Sequence, residues 1–456
     1  MSETVEIVNG VHPYGREEDW VKPDDPTVCQ YLEEFQDMKL GIFFHFGLYS
    51  QIGIVESWSL SDEDASWSQV DLTWDDPKEC QRQYTRLNRS FNPIRMVPEE
   101  WAKAAKECGF KYMVLTTKHH DGFCLWDTAQ TDYKTTSPDC PFSEHKYADI
   151  VRHIFDAFRK EGIAISAYFS KADWHSPYYW RPETRWTKST DRHANYNTEE
   201  HPEIWKKFVD FTHAQVMELV SDYGPIHALW FDAGWVCPTE NEDIRMDELV
   251  SKLRKIQPGI LVADRTVGGA NENFLTPECT IPEKQMSIPW ESGIFLDDVA
   301  GWGHRYEHGY KSIREVIHTV VDVISKGGNL AFAVGPQPDG RLPVEGMKIL
   351  KQMGKWLEVN GEAIYGTRIC APYFQDDWHF TQKPDAVYAI RNIHEKESMQ
   401  DIEWIIPLKY PAGRIELLGQ ENPVGFTVTQ RGIQLDMGKS MFDGVLPEAV
   451  AFKLTK

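Results

Sequence analysis

Apolar residues recur along this chain in two alternating rhythms. Short runs of mostly apolar residues read as buried parallel strands: Met38–Tyr49, Lys111–Thr117, Ile163–Phe169, Ala228–Asp232, Ile260–Asp264 and Asn329–Val334. Between them lie stretches with helical spacing: Pro98–Cys108, Tyr147–Lys160, Pro202–Val220, Asp247–Ile256, Ile313–Ser325 and Val344–Glu358. Ile150, Ile154 and Phe158 share one face of the second helix, and Ile204, Phe208, Phe211 and Leu219 form a stripe on the third. Repeated strand–helix alternation predicts an α/β fold with a parallel sheet. So many units predict a (β/α)8-like TIM barrel. An open doubly wound sheet fits less well, because no G-x-G-x-x-G follows the first strand.

Beyond the last helix the rhythm changes. Ala386–Arg391, Ile402–Pro407, Arg414–Leu418 and Val424–Gln430 are short, alternating and bounded by turn residues, which predicts an antiparallel β-sandwich. The expected division is a catalytic barrel over residues 1–360 and a C-terminal β-sandwich over residues 361–456.

Composition narrows the picture. An apolar content of 41% over 456 residues supports a substantial core, and no run of about 18 apolar residues suggests a membrane span. Net charge is −22, which argues against a nucleic-acid partner. The 17 Trp and 18 Tyr suit sugar binding, since aromatic faces stack on pyranose C–H faces. Eight scattered cysteines make no C-x-x-C pair, so neither a disulfide framework nor a zinc knuckle is expected, and buried reduced thiols are. The opening Met1-Ser-Glu-Thr-Val-Glu6 lacks a basic stretch followed by an apolar one. A cytoplasmic chain is expected as written, and a secreted or periplasmic one if a leader has been removed.

The candidate chemistry sits at strand ends. Ala228-Leu-Trp-Phe-Asp232 would deliver Asp232 to the carboxyl end of a strand, where barrel enzymes keep reactive groups; the plainer reading is a helix cap. His45 ends the first strand, His119 and His120 follow the second, and Arg265 follows Ile260–Asp264. An Arg near Asp232 would hold that carboxylate ionised. Adjacent histidines on an extended chain point apart and no Cys/His cluster completes a shell, so neither a metal nor another cofactor is expected. Glycosidic chemistry needs a second carboxylate. Glu291, flanked by Trp290, and Glu278 both lie in the irregular stretch after Arg265, where a loop could fold over the barrel mouth.

The ordered set Gly41-Ile-Phe-Phe-His-Phe-Gly47, Thr117-Lys-His-His-Asp-Gly-Phe123, Leu229-Trp-Phe-Asp232, Asp264-Arg265, Pro289-Trp-Glu291, Gly301-Trp-Gly303 and Gly327-Gly-Asn-Leu330 resembles the α-L-fucosidases of glycoside hydrolase family 29. The resemblance implies a barrel followed by a β-sandwich and a retaining mechanism without a metal. It implies Asp232 as nucleophile, and His45, His119, His120, Arg265, Trp302, Trp58 and Tyr168 as substrate-binding residues. The Trp290-Glu291 form resembles the branch preferring α-1,3/4-linked fucose, which favours Glu291 over Glu278 as acid/base. Three segments depart from the family pattern: Phe46 replaces a Trp, Glu56-Ser57-Trp58 stands for Glu-Trp, and Ala331-Phe-Ala333 replaces Leu-Leu-Asn.

The expected activity is therefore a retaining exo-α-L-fucosidase acting on fucosylated oligosaccharides or glycoconjugates, with no membrane or nucleic-acid partner. Three rivals stay open: an exo-glycosidase for α-L-galactosides, a non-catalytic sugar-binding protein, and a metal-dependent hydrolase built on His119, His120 and Asp121. Nitrophenyl glycosides, turnover and chelators separate them.

Overall fold

The computed structural model describes residues 17–456 except 70–75, 186–189, 299–300, 307, 439–441 and 443–445; the N-terminal stretch read for a leader lies outside them. Helix α1 (Pro26–Met38) leads into β1 (Leu40–Phe44), and α2 (Pro77–Tyr84) and α3 (Pro98–Glu107) precede β2 (Tyr112–Lys118). Then come α4 (Ile150–Lys160), β3 (Ala164–Ser170), α5 (Pro202–Asp222), β4 (Ala228–Asp232), α6 (Met246–Ile256) and β5 (Leu261–Asp264). The unit ends with β6 (Glu291–Phe295), α7 (Ile313–Ser325), β7 (Asn329–Val334) and α8 (Val344–Asn360). Among the described residues, no helix is long and apolar enough to cross a membrane.

All these strands are parallel, in the order β5-β4-β3-β2-β1-β7-β6. Among the described residues, seven strands form the sheet where eight units were expected. Between its two edges runs the irregular segment after β5, bridging Ala263 to Glu272 on one side and Leu275 to Trp290 and Glu278 to Gly293 on the other. Two strand boundaries differ from expectation. The first strand stops at Phe44, which leaves His45 just beyond its end, and Glu291 opens a strand instead of lying on a loop.

Side-chain alternation divides the core. Leu40, Ile42, Phe44, Met113 and Leu115 face the surrounding helices, while Phe43, Tyr112, Val114, Tyr168, Trp230 and Ala263 face inward. Burial on both faces explains why the strands read as unbroken apolar runs. Gly41 is required by this packing, since a Cβ there would come within 2.3 Å of the Tyr112 ring. Helix α1 closes the amino-terminal end of the curled sheet. Its Val28, Leu32 and Phe35 join the inner cluster, and Phe35 meets Tyr112 and Phe274 with centroids 5.3 and 4.5 Å apart.

The helices start where local chemistry says they should. Asp149 caps α4 by accepting from the Arg152 amide, and Ser312 and Glu315 form a capping box on α7. After α8 the chain forms β8 (Arg368–Gln375), β9 (Trp378–Lys383), β10 (Ala386–Asn392), β11 (Ile405–Ile406), β12 (Arg414–Leu417), β13 (Phe426–Thr429), β14 (Gly432–Leu435) and β15 (Ala449–Thr455). They make a five-stranded sheet and a three-stranded sheet around a separate apolar core. This antiparallel unit packs on α7 and α8, where Trp356 donates its indole N–H to the Ala449 carbonyl at 2.8 Å.

Candidate active site

A cavity of about 590 Å³ opens at the carboxyl ends of the parallel strands. Asp232, the last residue of β4, stands at its base and is 8% exposed. Its Oδ1 accepts from Arg265 Nη1 at 2.8 Å, and its Oδ2 accepts from the Tyr168 hydroxyl at 2.6 Å. Burial alone would raise the carboxyl pKa. The Arg265 guanidinium and the Tyr168 hydrogen bond overcome that and hold it well below the usual carboxylate range. Charged histidines would add to this, but burial holds His45 and His120 well below the usual imidazole range and His119 at about 4. All three are neutral near pH 7. Burial and the nearby Asp232 charge push the Tyr168 phenol well above its ordinary value, so it remains a donor.

Arg265 sits just past β5 and is held from below. Buried Lys171 pairs with Asp264 at 2.6 Å, and Glu272 accepts from the amides of Thr266 and Gly268 at 3.1 and 2.9 Å. Its guanidinium lies 5.2 Å from the centroid of the Trp230 ring. The second amino group of Arg265, Nη2, donates to the carboxylate of Glu278, which is partly exposed and lines the cavity. One guanidinium therefore spans two carboxylates, one buried and ionised, the other at the wall.

His45, His119, Tyr168, Arg265, Trp58 and Trp302 all line the cavity, as does Trp230. His119 Nδ1 and the Ser57 hydroxyl are 2.5 Å apart, and the His119 ring stacks parallel to Tyr168. His120 is not among the lining residues. It is fully buried behind them, with Nδ1 2.7 Å from the Ser170 hydroxyl and Nε2 3.7 Å from Asp232 Oδ2.

The Glu56-Ser57-Trp58 departure resolves into three roles. Glu56 accepts from the Trp302 and Gly303 amides, each at 2.7 Å, and fixes the segment that presents Trp302. Ser57 meets His119, and Trp58 lines the cavity beside Trp67. Glu56, Ser57, Trp230 and Trp235 were not foreseen as site residues. The available signal was adjacency, to Trp58 in the first pair and to Asp232 in the second.

Glu291 must be corrected. It is the first residue of β6, paired with Asn329 at the start of β7, while Asp232 ends its strand. It therefore lies toward the opposite end of the sheet. It is 3% exposed and does not line the cavity. The Trp230 indole donates to its Oε1 at 3.1 Å and stands between it and the cavity. Asp121 is likewise turned away: its carboxylate accepts from the Tyr84 hydroxyl at 2.7 Å and the Phe123 amide at 3.0 Å. The set His119, His120 and Asp121 is not assembled. Instead, ligand-type atoms of His119, His120 and Asp232 come within 4.8 Å of one another. A cation there would compete with the Arg265 charge already paired to Asp232. The eight cysteines are free, and Cys279 is exposed beside Glu278 instead of buried.

A family model described as Alpha-L-fucosidase matches residues 16–362. The tissue alpha-L-fucosidase of Rattus norvegicus is 28% identical over 92% of this chain and 87% of its own length. The fold is similar to that of alpha-L-fucosidase isoenzyme 1 from Paenibacillus thiaminolyticus (TM-score 0.77, 28% identity, 94% of this chain and 99% of that one). It is also similar to Thermotoga maritima alpha-fucosidase in complex with fucose (TM-score 0.74, 26% identity, 95% and 100%).

Proposed function

The chain belongs to the alpha-L-fucosidase family of glycoside hydrolases and is an α-L-fucosidase; from that premise we propose that it is a retaining exo-enzyme with Asp232 as nucleophile and Glu278 as acid/base. In the first step an Asp232 oxygen attacks the anomeric carbon while Glu278 protonates the departing glycosidic oxygen. In the second, Glu278 takes a proton from water, and the water oxygen displaces Asp232 from the sugar. The single observation that carries this reading is the Arg265 guanidinium shared by both carboxylates. Retaining enzymes need their two carboxyls about 5–5.5 Å apart, and one guanidinium bridging both keeps them close neighbours. Neutral His45 and His119 and the Tyr168 hydroxyl supply donors and acceptors for sugar hydroxyls, and Trp302 and Trp58 supply apolar faces.

The substrate is a fucose-containing glycan. We propose α-1,3/4-linked fucose, supported by a cavity roomier than one monosaccharide and rimmed by Trp58 and Trp67. The sheet reads as a (β/α)8-like barrel whose eighth position is filled by the segment after β5, with the boundary to the C-terminal β unit near residue 360.

The test is Glu278→Gln. Hydrolysis of fucosylated oligosaccharides should fall far more than hydrolysis of an activated aryl fucoside, because acid help matters most for basic leaving groups. Azide should rescue the aryl substrate and give a fucosyl azide of retained configuration. Equal losses on both substrates without rescue remove Glu278 from this role. Efficient cleavage of α-1,2-linked fucose, or faster turnover of L-galactosides, removes the linkage or sugar assignment and leaves the mechanism standing.

A further inference from the structure

A carboxyl buried 3% exposed at the closed end of a sheet requires a reason, since burying an ionisable group without compensation is unfavourable. Among the described residues, Glu291 has two polar neighbours: the Trp230 indole N–H, which donates to its Oε1 at 3.1 Å, and the Tyr112 hydroxyl beside its carboxyl. Trp230 is the link to the chemistry. Its ring stacks on Tyr168, centroids 5.5 Å apart and planes 23° from parallel, and lies 5.2 Å from the Arg265 guanidinium. Phe43 meets it edge-on at 5.5 Å. Tyr168 and Arg265 are the two donors that hold Asp232. An indole has a single donor, and turning it to find another acceptor would swing the ring away from both residues.

We propose that Glu291 is a positioning residue: by accepting the Trp230 indole N–H it locks the ring that floors the sugar cavity and seats both donors of the Asp232 carboxylate. This rests on the reading of Asp232 as nucleophile. It assigns Glu291 a role in the reaction without contact to substrate.

The test uses the full chain with Glu291→Gln and Glu291→Leu. Each variant is assayed on 4-nitrophenyl α-L-fucoside and on a fucosylated oligosaccharide, with inhibition by free L-fucose measured alongside. Gln keeps an acceptor oxygen, so activity should stay within about threefold of the parent. Leu removes it, so kcat/KM should fall about tenfold on both substrates alike, and L-fucose should inhibit correspondingly less. A packing defect alone lowers the amount of active enzyme and leaves the L-fucose inhibition constant unchanged; that result overturns the proposal, as does a parent-like Leu variant. Neither result touches Glu278. A loss in Glu291→Gln confined to the oligosaccharide, with azide rescue on the aryl fucoside, makes Glu291 the acid/base and defeats both readings. If the Leu variant fails to fold, Trp230→Phe keeps a ring without the N–H and must weaken L-fucose inhibition. Adding Glu291→Gln to it must change nothing further, and any other result overturns the proposal.

Discussion

At the scale of single residues, Asp232 is defined by what it touches: a guanidinium on one oxygen, a phenol on the other, and neutral imidazoles nearby. Asp232→Ala should lower hydrolysis of aryl fucosides by several orders of magnitude with the fold intact, as expected for a lost nucleophile. Added azide should restore turnover as a fucosyl azide of inverted configuration, detectable by NMR; a loss of only about tenfold would make Asp232 a helper residue. The places of Asp232, Arg265, His45 and His119 at the cavity were legible in the sequence because each follows an apolar run, and such runs end where the cavity opens. Glu291 was misread for the complementary reason. A Trp-flanked acid looks the same at either end of a strand, and Glu291-Ser-Gly-Ile-Phe295, with a Gly at its centre, does not announce itself as a strand. Glu278 carries no local pattern, and only the fold of the segment after β5 brings it to Arg265.

At the scale of elements, the parallel strands and their helices were readable because each buries two faces or one stripe. The antiparallel strands were less so, since β8, β9 and β14 alternate weakly and β15 takes its pairing from β10 and β12, partners distant in sequence. The same strength of local signal marks α7, whose capping box satisfies two backbone donors at once. Ser312→Ala should destabilise the protein by about 1 kcal/mol in urea denaturation, the usual loss for an N-cap. Helix α7 carries the C-terminal unit but no cavity-lining side chain, so kcat/KM on aryl fucosides should be unchanged. A fall in kcat/KM would mean that α7 communicates with the cavity.

At the scale of the whole molecule, buried ionisable groups make stability depend on pH in opposing ways. Burial pushes Glu56, Glu272 and Glu291 up to about 7, so the stability each contributes is complete below about 4.5 and drains as pH rises through 7. Buried His45, His119 and His120 lie below 6.5, so their contribution drains as pH falls. The two sets offset each other in the intact protein, and a difference measurement separates them. Glu291→Gln should gain on the parent in denaturation midpoint as pH rises from about 4.5 to about 7, then hold a constant lead. A lead that does not vary with pH would show that Glu291 ionises as freely as in the unfolded chain. Finally, α1 stoppers the sheet from beneath with Val28, Leu32 and Phe35. Among the described residues, the cavity is thus stopped at this end like a blind alley. On the proposed exo reading, a glycan offers a terminus to it and threads no internal unit through. On the proposed mechanism, water for the second displacement then enters by the opening the first leaving group has vacated, and the freed sugar is last out.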